Sequence, residues 1–231
     1  MSIPVLEAHA LVKSYGTTRA LAGVDLAIER GASVAIMGAS GSGKTTLLHV
    51  LAGIVAPDSG SVTVRPAVGA AIELTGLAET ARSKLRRERL GFVFQQGLLI
   101  PELTAVENVA LAAMINGTKR ADAVTLAASW LAALGLSGME ERRIGELSGG
   151  QAQRVAIARA QVTGAEIVFA DEPTGALDST TSREVMDALL WSTTGQGRTL
   201  VVVTHDPEVA ARCARTVAVN DGLVIPAEVE A

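Results

Sequence analysis

The sequence predicts an α/β fold built around a mostly parallel β-sheet. Short apolar segments, typical of buried strands, alternate along the chain with segments that have helical spacing. Several of these strands end in glycine-rich or acidic residues, and open α/β sheets bind their ligands at the carboxyl ends of strands. The chain has 231 residues, of which 48% are hydrophobic, enough for one domain or two tightly joined subdomains with a sizeable core.

The N-terminal part of the chain is predicted to consist mainly of strands. Residues 5–12 partly alternate between apolar and polar side chains, and residues 24–28 alternate more clearly. A Pro-Asp-Ser-Gly turn signal opens the segment 57–64 and is followed by a strand-like run. Residues 103 to about 134 are rich in Ala and Leu at helical spacing, which predicts a helical insertion. Further strands are predicted at 32–37, 91–94, 166–170 and 199–204, and further helices at 46–52, 78–90 and after 151.

One glycine-rich segment lies between a predicted strand and a predicted helix. Residues 38–45 (GASGSGKT) fit the pattern G-x-x-x-x-G-K-[ST], which in this setting is typical of a phosphate-binding loop. Glycines let the backbone curl until several N–H groups point at one anion, and the following helix adds its positive end. We expect Lys44 to reach the outer phosphates and the Thr45 hydroxyl to bind Mg²⁺. The predicted phosphate-binding residues are Gly38, Ser40, Gly41, Ser42, Gly43, Lys44, Thr45 and Thr46.

A pair of carboxylates follows a later apolar strand. Asp171 is placed to hold Mg²⁺ opposite Thr45, and Glu172 to polarise or deprotonate an attacking water. An Asp-Glu pair alone is also typical of an ordinary strand-end turn. The presence of a phosphate loop in the same chain favours the functional interpretation.

A second helix start in the chain is also suited to an anion. Ser148 can cap the helix, while Gly149 and Gly150 leave its first N–H groups bare ahead of Gln151. A simple cap after a loop is the alternative. Because one nucleotide rarely needs two phosphate cradles from one chain, this second cradle predicts a dimer in which each chain completes the other's site.

Composition narrows the function classes. A net charge of −4 and an aromatic content of 3% give no case for a nucleic-acid partner. The charged helix at 78–90 could touch acidic lipid or RNA, but a solvated face is favoured because acidic residues interrupt its arginines. The single cysteine, Cys213, is expected to be a small, partly buried thiol. With no evident secretory signal and no apolar run long enough to span a bilayer, we expect a soluble cytoplasmic protein.

Together these motifs resemble those of the ATP-binding subunit of ABC transporters. The resemblance covers the chain almost end to end and keeps the family's order and structural contexts. The matching motifs are the Walker A loop at 38–45, the Q-loop glutamine at Gln95, the signature LSGGQ at 147–151, Walker B with its catalytic glutamate at 167–172, the D-loop at 176–178 and the switch histidine at His205.

The resemblance also points to a branch of the family. Residues 91–95, 103–109 and 170–178 look like those of lipoprotein-release, macrolide-export and antimicrobial-peptide-export subunits, and the bacterial cell-division ATPase is a near relative. Residues 65–73 form a longer segment than is usual in the family. Ala152 and Gln161 replace the more usual glutamine and leucine around the signature helix, which questions the fit to a partner more than the chemistry.

The family's fold is a P-loop NTPase core with a mostly parallel sheet, a small antiparallel β subdomain and an inserted α-helical subdomain. The resemblance therefore implies one ABC ATP-binding domain over residues 1–231. The core with its β subdomain would occupy about 1–95 and 160–231, and the helical subdomain with the signature about 96–159. Trp130 and Trp191 fall in helical segments and are expected to be packing anchors.

The resemblance implies two such domains facing head to tail, with ATP and Mg²⁺ as cofactors. Glu172 would orient the attacking water, His205 would contact the γ-phosphate, and Gln95 would join Thr45 and Asp171 at the metal. The partner chain would close the site with its signature residues. The nucleotide-contacting residues outside the phosphate loop would be Tyr15 at the adenine, Ser148, Gly149, Gly150, Gln151 and Asp178.

The expected partners are an integral membrane permease and a second ATP-binding subunit, expected to be another copy of this chain, with no nucleic acid. The protein would lie peripherally at the cytoplasmic face of the cell membrane. Residues 98–101 (LLIP) are the candidate docking segment for the permease, with a plain core role as the alternative. The predicted function is to power export or extraction of lipophilic or peptide cargo, such as lipoproteins, macrolides or antimicrobial peptides.

Three other functions compete with export. The first is regulatory mechanotransmission, in which the ATPase acts through a membrane partner on cell-wall or division machinery without transport. The second is a soluble ABC ATPase for DNA repair or translation. Such proteins usually carry a long coiled coil or two cassettes in one chain, and this sequence shows neither. The third, a P-loop kinase, has no use for a signature helix.

Overall fold

The computed structural model describes residues 3–225 and divides into two compact units. The unit formed by Met1–Arg86 and Thr199–Ala231 is called the terminal unit, and Arg87–Arg198 is called the central unit. The predicted boundaries of the core and the helical subdomain stay a prediction. In chain order the elements are β1 (Pro4–Tyr15), β2 (Thr18–Glu29), β3 (Ser33–Met37), α1 (Lys44–Leu51), β4 (Ser59–Val64), β5 (Ile72–Glu73), α2 (Glu79–Arg89), β6 (Leu90–Phe94), α3 (Ala105–Ile115), α4 (Arg120–Ala133), α5 (Gly149–Gln161), β7 (Ile167–Asp171), α6 (Ser179–Ser192), β8 (Thr199–Val203), α7 (Pro207–Ala210), β9 (Arg215–Asn220) and β10 (Leu223–Ile225).

The terminal unit contains the predicted antiparallel sheet, with strand order β2-β1-β4-β5. Strands β1 and β2 are longer than the sequence pattern predicted, because the chain reverses tightly between Tyr15 and Thr18, where Gly16 has φ 59°. A bulge interrupts their register after Ala8, and Ala10 there has φ 47°. The Ala10 N–H donates to the Asp25 carboxylate at 3.0 Å, so the bulge keeps a partner for its backbone.

A parallel sheet forms the other layer of the terminal unit. Strand β3 pairs in parallel with β8 and β9, and β10 adds to β9 in antiparallel fashion. Every residue of β8 is buried, as are the first four of β3, which explains why both strands are continuous apolar runs. The predicted fold class is therefore confirmed. Strands β9 and β10 were not predicted, because β9 buries only two of its six residues and β10 is short and contains no buried residue.

The unusually long segment at 65–73 folds back as a hairpin on the edge of the antiparallel sheet. Its last residues, β5, pair with Val64 and Thr63 of β4. The next residue, Leu74, is buried and packs so tightly on Gly53 that a Cβ at Gly53 would lie 2.0 Å from its Cδ2 atom. The extra residues thus add an edge strand to the sheet and lead directly into a core contact, rather than forming a loose turn.

The central unit contains the parallel pair β6–β7 and four longer helices. The Phe92 ring of β6 stacks on Phe169 of β7, with centroids 5.8 Å apart, and on Phe94 of its own strand, with centroids 6.0 Å apart. The predicted helical stretch after residue 103 is two helices. It breaks between α3 and α4, where Gly117 has φ 91°, a conformation that a helix cannot contain. Thr104 and Glu107 form a capping box at the start of α3.

Several predictions about single residues can be judged in this fold. Trp191 is 47% exposed, so its predicted role as a packing anchor is wrong, whereas the Trp130 ring is covered by the Arg198 guanidinium at 5.5 Å. Gln161 is fully buried, donates to Ser192 Oγ and accepts from Arg198, so it serves the interior of the central unit and not a partner's surface. Burial raises the pKa of the Cys213 thiol to about 11, which fits an unreactive, half-buried cysteine.

Helix length and hydropathy bear on membrane insertion. In the part of the chain that the structure describes, none of the helices combines the length and apolar character required to traverse a bilayer.

Candidate nucleotide-binding site

The phosphate-binding loop of the terminal unit joins β3 to α1. It is held between two backbones, because a Cβ on Gly43 would lie 2.2 Å from the Ala20 carbonyl oxygen and one on Gly38 would lie 2.1 Å from that of Val219. Gly43 also has φ 103° and precedes the first residue of α1. Only glycine fits at these two positions, so the loop's curvature is fixed by the strands around it.

Lys44 is the first residue of α1 and is only 8% exposed. Its ammonium donates to the carbonyl oxygens of Gly38 and Ala39, each at 2.8 Å, and so ties the start of the loop to its end. An ammonium has three N–H donors, so two bonds within the loop leave capacity for an anion. The predicted role of Lys44 is consistent with this position.

Ser42 provides the structural test of whether the loop suits a phosphate. Its hydroxyl oxygen is buried and, within residues 3–225, has no hydrogen-bond partner. The Ser42 backbone is fixed, since its carbonyl accepts from the Gly222 N–H at 3.0 Å, and Gly222 in turn accepts from Ala22. A buried hydroxyl without a partner is unfavourable by about 1–3 kcal/mol. A phosphate oxygen would satisfy it, so the loop fits the predicted ligand.

His205 lies at the same sheet edge as the phosphate loop. Strands β3 and β8 run parallel with Ile36 opposite Val203, so both lead into functional segments at their carboxyl ends. Thr204 is buried, its N–H donates to the Ile36 carbonyl, and its hydroxyl accepts from the Asp206 N–H at 3.0 Å. This fixed turn leaves His205 exposed at the edge. Tyr15, at the end of β1, is also exposed, with its ring 5.6 Å from the Lys13 ammonium.

The acidic motif of the central unit lies at the end of β7. Strand β6 pairs with β7 in parallel, with Phe94 opposite Asp171, so Gln95 and Glu172 leave the sheet at the same edge. The loop after Glu172 returns toward Gln95, because a Cβ on Gly175 would lie 3.0 Å from the Gln95 Nε2 atom. The structure therefore brings Gln95 to the same edge as Asp171 and Glu172, which were predicted from a different motif.

Glu172 has an unusual backbone conformation. Its φ is 47°, in the left-handed region that residues other than glycine seldom occupy. The turn is closed by a hydrogen bond from the Gly175 N–H to the Glu172 carbonyl at 3.1 Å. Such conformations cost about 1–3 kcal/mol and are concentrated at functional sites. The strain thus falls on the residue that was assigned to water activation.

Two residues that the sequence analysis did not assign hold the Gln95 segment in place. Both lie on α5, the helix that begins at the signature. Gln153 is buried and donates to the Phe94 carbonyl at 2.9 Å, while Arg159 donates to the carbonyls of Gly97 and Leu98 at 2.7 and 2.6 Å. Burial lowers the pKa of the Arg159 guanidinium. The available signal was weak, because Gln153 and Arg159 are two of five long polar side chains on this helix.

The candidate docking segment follows directly after the carbonyls held by Arg159. Leu98 is 57% exposed and Ile100 is 40% exposed, so a plain core role is wrong for these two side chains. The buried Asn108 accepts from the Ile100 N–H and donates to the Ile100 carbonyl, which fixes the backbone of the segment. An apolar surface on a fixed backbone remains available for the predicted docking role.

The signature turn of the central unit starts α5, as predicted. The Ser148 hydroxyl accepts from the Gln151 N–H at 3.2 Å, and the Gln151 amide oxygen accepts from the Ser148 N–H at 2.9 Å, which completes a capping box. Ser148 and Gly149 are exposed, while Gly150 is buried. The turn is therefore rigid, and its outer face is open.

Asp178 caps the neighbouring helix α6. Its carboxylate accepts from the N–H groups of Thr180 and Thr181, both at 3.0 Å, and from the Thr181 hydroxyl at 2.6 Å. The side-chain hydrogen bond from Thr181, followed by the backbone bonds, lowers the pKa of Asp178. The carboxylate thus stays charged at the exposed start of α6.

No group of three or more His, Cys, Asp and Glu side chains within residues 3–225 could hold a metal ion by itself. The predicted donors Thr45, Gln95 and Asp171 offer hydroxyl, amide and carboxylate oxygens. Such oxygens suit Mg²⁺ bound together with substrate phosphates rather than in an all-protein cage.

Comparison with known proteins identifies the family. The family model described as ABC transporter matches residues 21–175, which is more than half of the chain. The chain belongs to the ABC transporter family. Its predicted nature as an ATPase domain of that family is thereby confirmed.

Relatives in the ABC family support the predicted branch. The chain is 45% identical over 230 residues to the pyoverdine export ATP-binding/permease protein PvdT of Pseudomonas savastanoi pv. phaseolicola. It is 44% identical over 229 residues to the macrolide export ATP-binding/permease protein MacB of Bradyrhizobium diazoefficiens. Each alignment covers 97% of this chain but only 34% of the relative, so the chain spans about a third of the length of these proteins.

Solved ABC cassettes share the fold. A dimeric post-hydrolysis structure of the ATP-binding cassette MJ0796, bound to ADP and Pi, matches with a TM-score of 0.84 and 37% identity, over 95% of this chain and 96% of that one. The cassette cbiO1 of Clostridium perfringens, part of the transporter complex cbiONQ, matches with a TM-score of 0.84 and 28% identity, over 96% of this chain and 87% of that one.

Proposed function

We propose that this ABC domain binds and hydrolyses ATP in a composite site shared by two domains, and that the cycle powers a membrane export system. The observation that carries the proposal is the contrast between its two anion-binding turns. The phosphate loop is braced by strand backbones of its own unit around the buried Ser42 and Lys44, whereas the signature turn is fixed by its own capping box and exposes Ser148 and Gly149. A rigid, exposed second cradle is suited to a nucleotide that another chain holds.

In the proposed site, backbone N–H groups of the phosphate loop and the Lys44 ammonium bind the phosphates, and Ser42 donates its buried hydroxyl. Tyr15 would stack on the adenine through its exposed ring. Thr45, Gln95 and Asp171 would hold Mg²⁺. When bound, Mg²⁺ neutralises charge on the phosphate oxygens, which eases phosphoryl transfer.

The chemistry of hydrolysis would rest on residues at the ends of two strands. Glu172 would accept a hydrogen bond from the attacking water and draw off its proton. Its strained backbone and the closed turn to Gly175 limit the positions that the carboxylate can take. Gln95 would orient the same water from its place beside Gly175, and His205 would donate to the γ-phosphate from its exposed position.

The second chain would complete the site with the residues around its signature. Ser148, Gly149, Gly150 and Gln151 would close over the γ-phosphate at the positive end of α5. Asp178 would approach the nucleotide from the start of α6, where Thr181 keeps it charged. Because ATP links the two halves, ATP binding would favour the dimer and hydrolysis would release it.

Export is the proposed work of the complex, and the names of the relatives support it. Proteins 44–45% identical to this chain are named for export of pyoverdine and of macrolides, and each combines an ATP-binding part with a permease. The proposed cargo class is lipophilic or peptide-like. The proposed partner is an integral membrane permease, which would hold this domain peripherally at the cytoplasmic face of the membrane. The exposed apolar side chains of Leu98 and Ile100 would dock to it.

Regulatory mechanotransmission uses the same nucleotide cycle, so the residues of the site do not distinguish it from export. The identity of the permease does. Tagging the protein in its native cell and identifying the co-purifying membrane protein would support export if that protein has a substrate pathway. A partner that activates cell-wall enzymes would support the alternative.

The composite site is tested by Glu172→Gln. This change keeps the size and shape of the side chain but removes the base, so ATP binding should persist while hydrolysis falls by at least about 100-fold. The variant should also accumulate as a dimer in Mg-ATP, measured by size-exclusion chromatography with light scattering. Glu141→Gln, at an exposed carboxylate of the central unit, is the matched control and should behave as wild type. Normal turnover by Glu172→Gln would remove Glu172 as the base.

A further inference from the structure

Gly150 of the signature turn packs directly on Thr181 of α6. A Cβ on Gly150 would lie 2.4 Å from Thr181 Cγ2, far inside van der Waals contact, whereas the next neighbours, Thr181 Cβ and Val185 Cγ2, are 3.9 Å away. The contact therefore consists of one methyl group. It joins the buried floor of the signature turn to the first turn of the neighbouring helix.

The other branch of the same side chain holds Asp178. Thr181 Oγ1 donates to Asp178 Oδ2 at 2.6 Å, while the two nearest N–H groups bind the other carboxylate oxygen. The methyl and hydroxyl of a threonine sit on one carbon and turn together about one χ1 torsion. Displacing the methyl group would therefore withdraw the hydroxyl from Asp178.

We propose that Thr181 is a positioning residue that links the signature turn to the Asp178 loop, so that both reach the second ATP-binding domain in one fixed arrangement. The proposal rests on the proposed composite site. It explains why glycine is needed at a buried helical position, where only the absence of a side chain leaves room for the Thr181 methyl. It also gives a role to Thr181, which is not among the predicted nucleotide-contacting residues.

The first test follows the Asp178 carboxylate in the monomer by carboxyl-carbon NMR, with Asp178→Asn to assign the signal. Hydrogen bonding lowers the pKa of Asp178 in wild type. In Gly150→Ala the new methyl should turn Thr181 and raise that pKa toward its ordinary value. Adding Thr181→Ser removes the obstructing methyl but keeps a hydroxyl, so the double variant should return to wild-type titration. Gly145→Ala is the matched control and should titrate like wild type, because no atom lies within 4 Å of a Cβ at that position.

The second test measures ATP-dependent dimerisation in the Glu172→Gln background. Gly150→Ala should weaken the dimer by roughly tenfold, the size expected for a lost cap, and Thr181→Ser should restore it. Thr181→Val keeps the methyl and loses the hydroxyl, so it should weaken the dimer and raise the Asp178 pKa with Gly150 intact. This variant keeps the test decisive if Gly150→Ala does not fold.

Two results would overturn the proposal. One is an unchanged Asp178 titration in both Gly150→Ala and Thr181→Val; the other is a double variant no better than Gly150→Ala. Failure of the composite site itself is distinguishable, since Glu172→Gln alone would then remain monomeric in Mg-ATP while the titration of Asp178 in the monomer still reports on Thr181.

Discussion

The phosphate loop and the signature turn are both helix starts that are predicted to bind an anion, yet they are stabilised in different ways. The phosphate loop is fixed by strand backbones that approach Gly38 and Gly43. Among the described residues, its buried Ser42 hydroxyl has no hydrogen-bond partner. The signature turn is fixed from inside, by the reciprocal bonds of Ser148 and Gln151. This difference fits the proposal that the phosphate loop holds a nucleotide and that the signature turn contacts the nucleotide of a second domain.

The largest effect is expected from breaking the first turn. Lys44→Ala removes the ammonium that bonds two loop carbonyls and should weaken ATP binding by at least roughly 100-fold. Titration calorimetry on the monomer measures this. Lys119→Ala, at an exposed lysine before α4, should bind like wild type. Equal affinity of the Lys44 variant would mean that the loop does not bind the phosphates.

Disrupting the signature turn should weaken ATP-dependent dimerisation and leave nucleotide binding by the monomer intact. Ser148→Arg places a bulky charge on the exposed face and should reduce ATP-dependent dimerisation by more than about tenfold, because the charge would be buried without a partner. Nucleotide affinity of the monomer should change by less than about threefold, because binding there relies on the first turn. Both are measured on the same samples, by light scattering and calorimetry. Lost binding by the monomer would show that the signature does not act across an interface.

The smallest effect is expected from Ser42→Ala, which separates ligand binding from stability within the terminal unit. Ser42→Ala removes a hydroxyl without a protein partner among the described residues, so stability should stay within about 1 kcal/mol while ATP affinity falls by about tenfold. Ser33→Ala is the matched control, since that buried hydroxyl accepts from the Ala214 N–H at 2.9 Å. It should lower stability and leave affinity unchanged. Chemical denaturation and calorimetry separate the two, and the reverse pattern would contradict the assignment of Ser42.

Local patterns in the sequence predicted the fold class and much of the candidate site. The buried strands β3, β7 and β8 are continuous apolar runs, and the motifs at their ends have fixed spacing, so both are visible without tertiary information. The capping role of Ser148 was predicted for the same reason, because a capping box needs only residues three apart.

Features that depend on distant residues were not predictable. Three contacts join segments that are not neighbours in the chain. These are the pairing of β5 with β4, the hydrogen bonds from Arg159 to the carbonyls of Gly97 and Leu98, and the packing of Gly150 on Thr181. The local sequence does not reveal that Trp191 is exposed, since an amphipathic helix can carry a tryptophan on either face. The break between α3 and α4 was visible only as a single glycine in an Ala-rich stretch.

The left-handed backbone of Glu172 has a consequence for engineering this domain. Glycine would occupy the φ of 47° without strain, so replacing Glu172 by glycine should raise the stability of the domain. A screen that rewards heat resistance alone would therefore favour loss of the carboxylate that is proposed to act as the base. Stability and catalysis would compete at this single residue, and efforts to harden the domain should leave position 172 untouched.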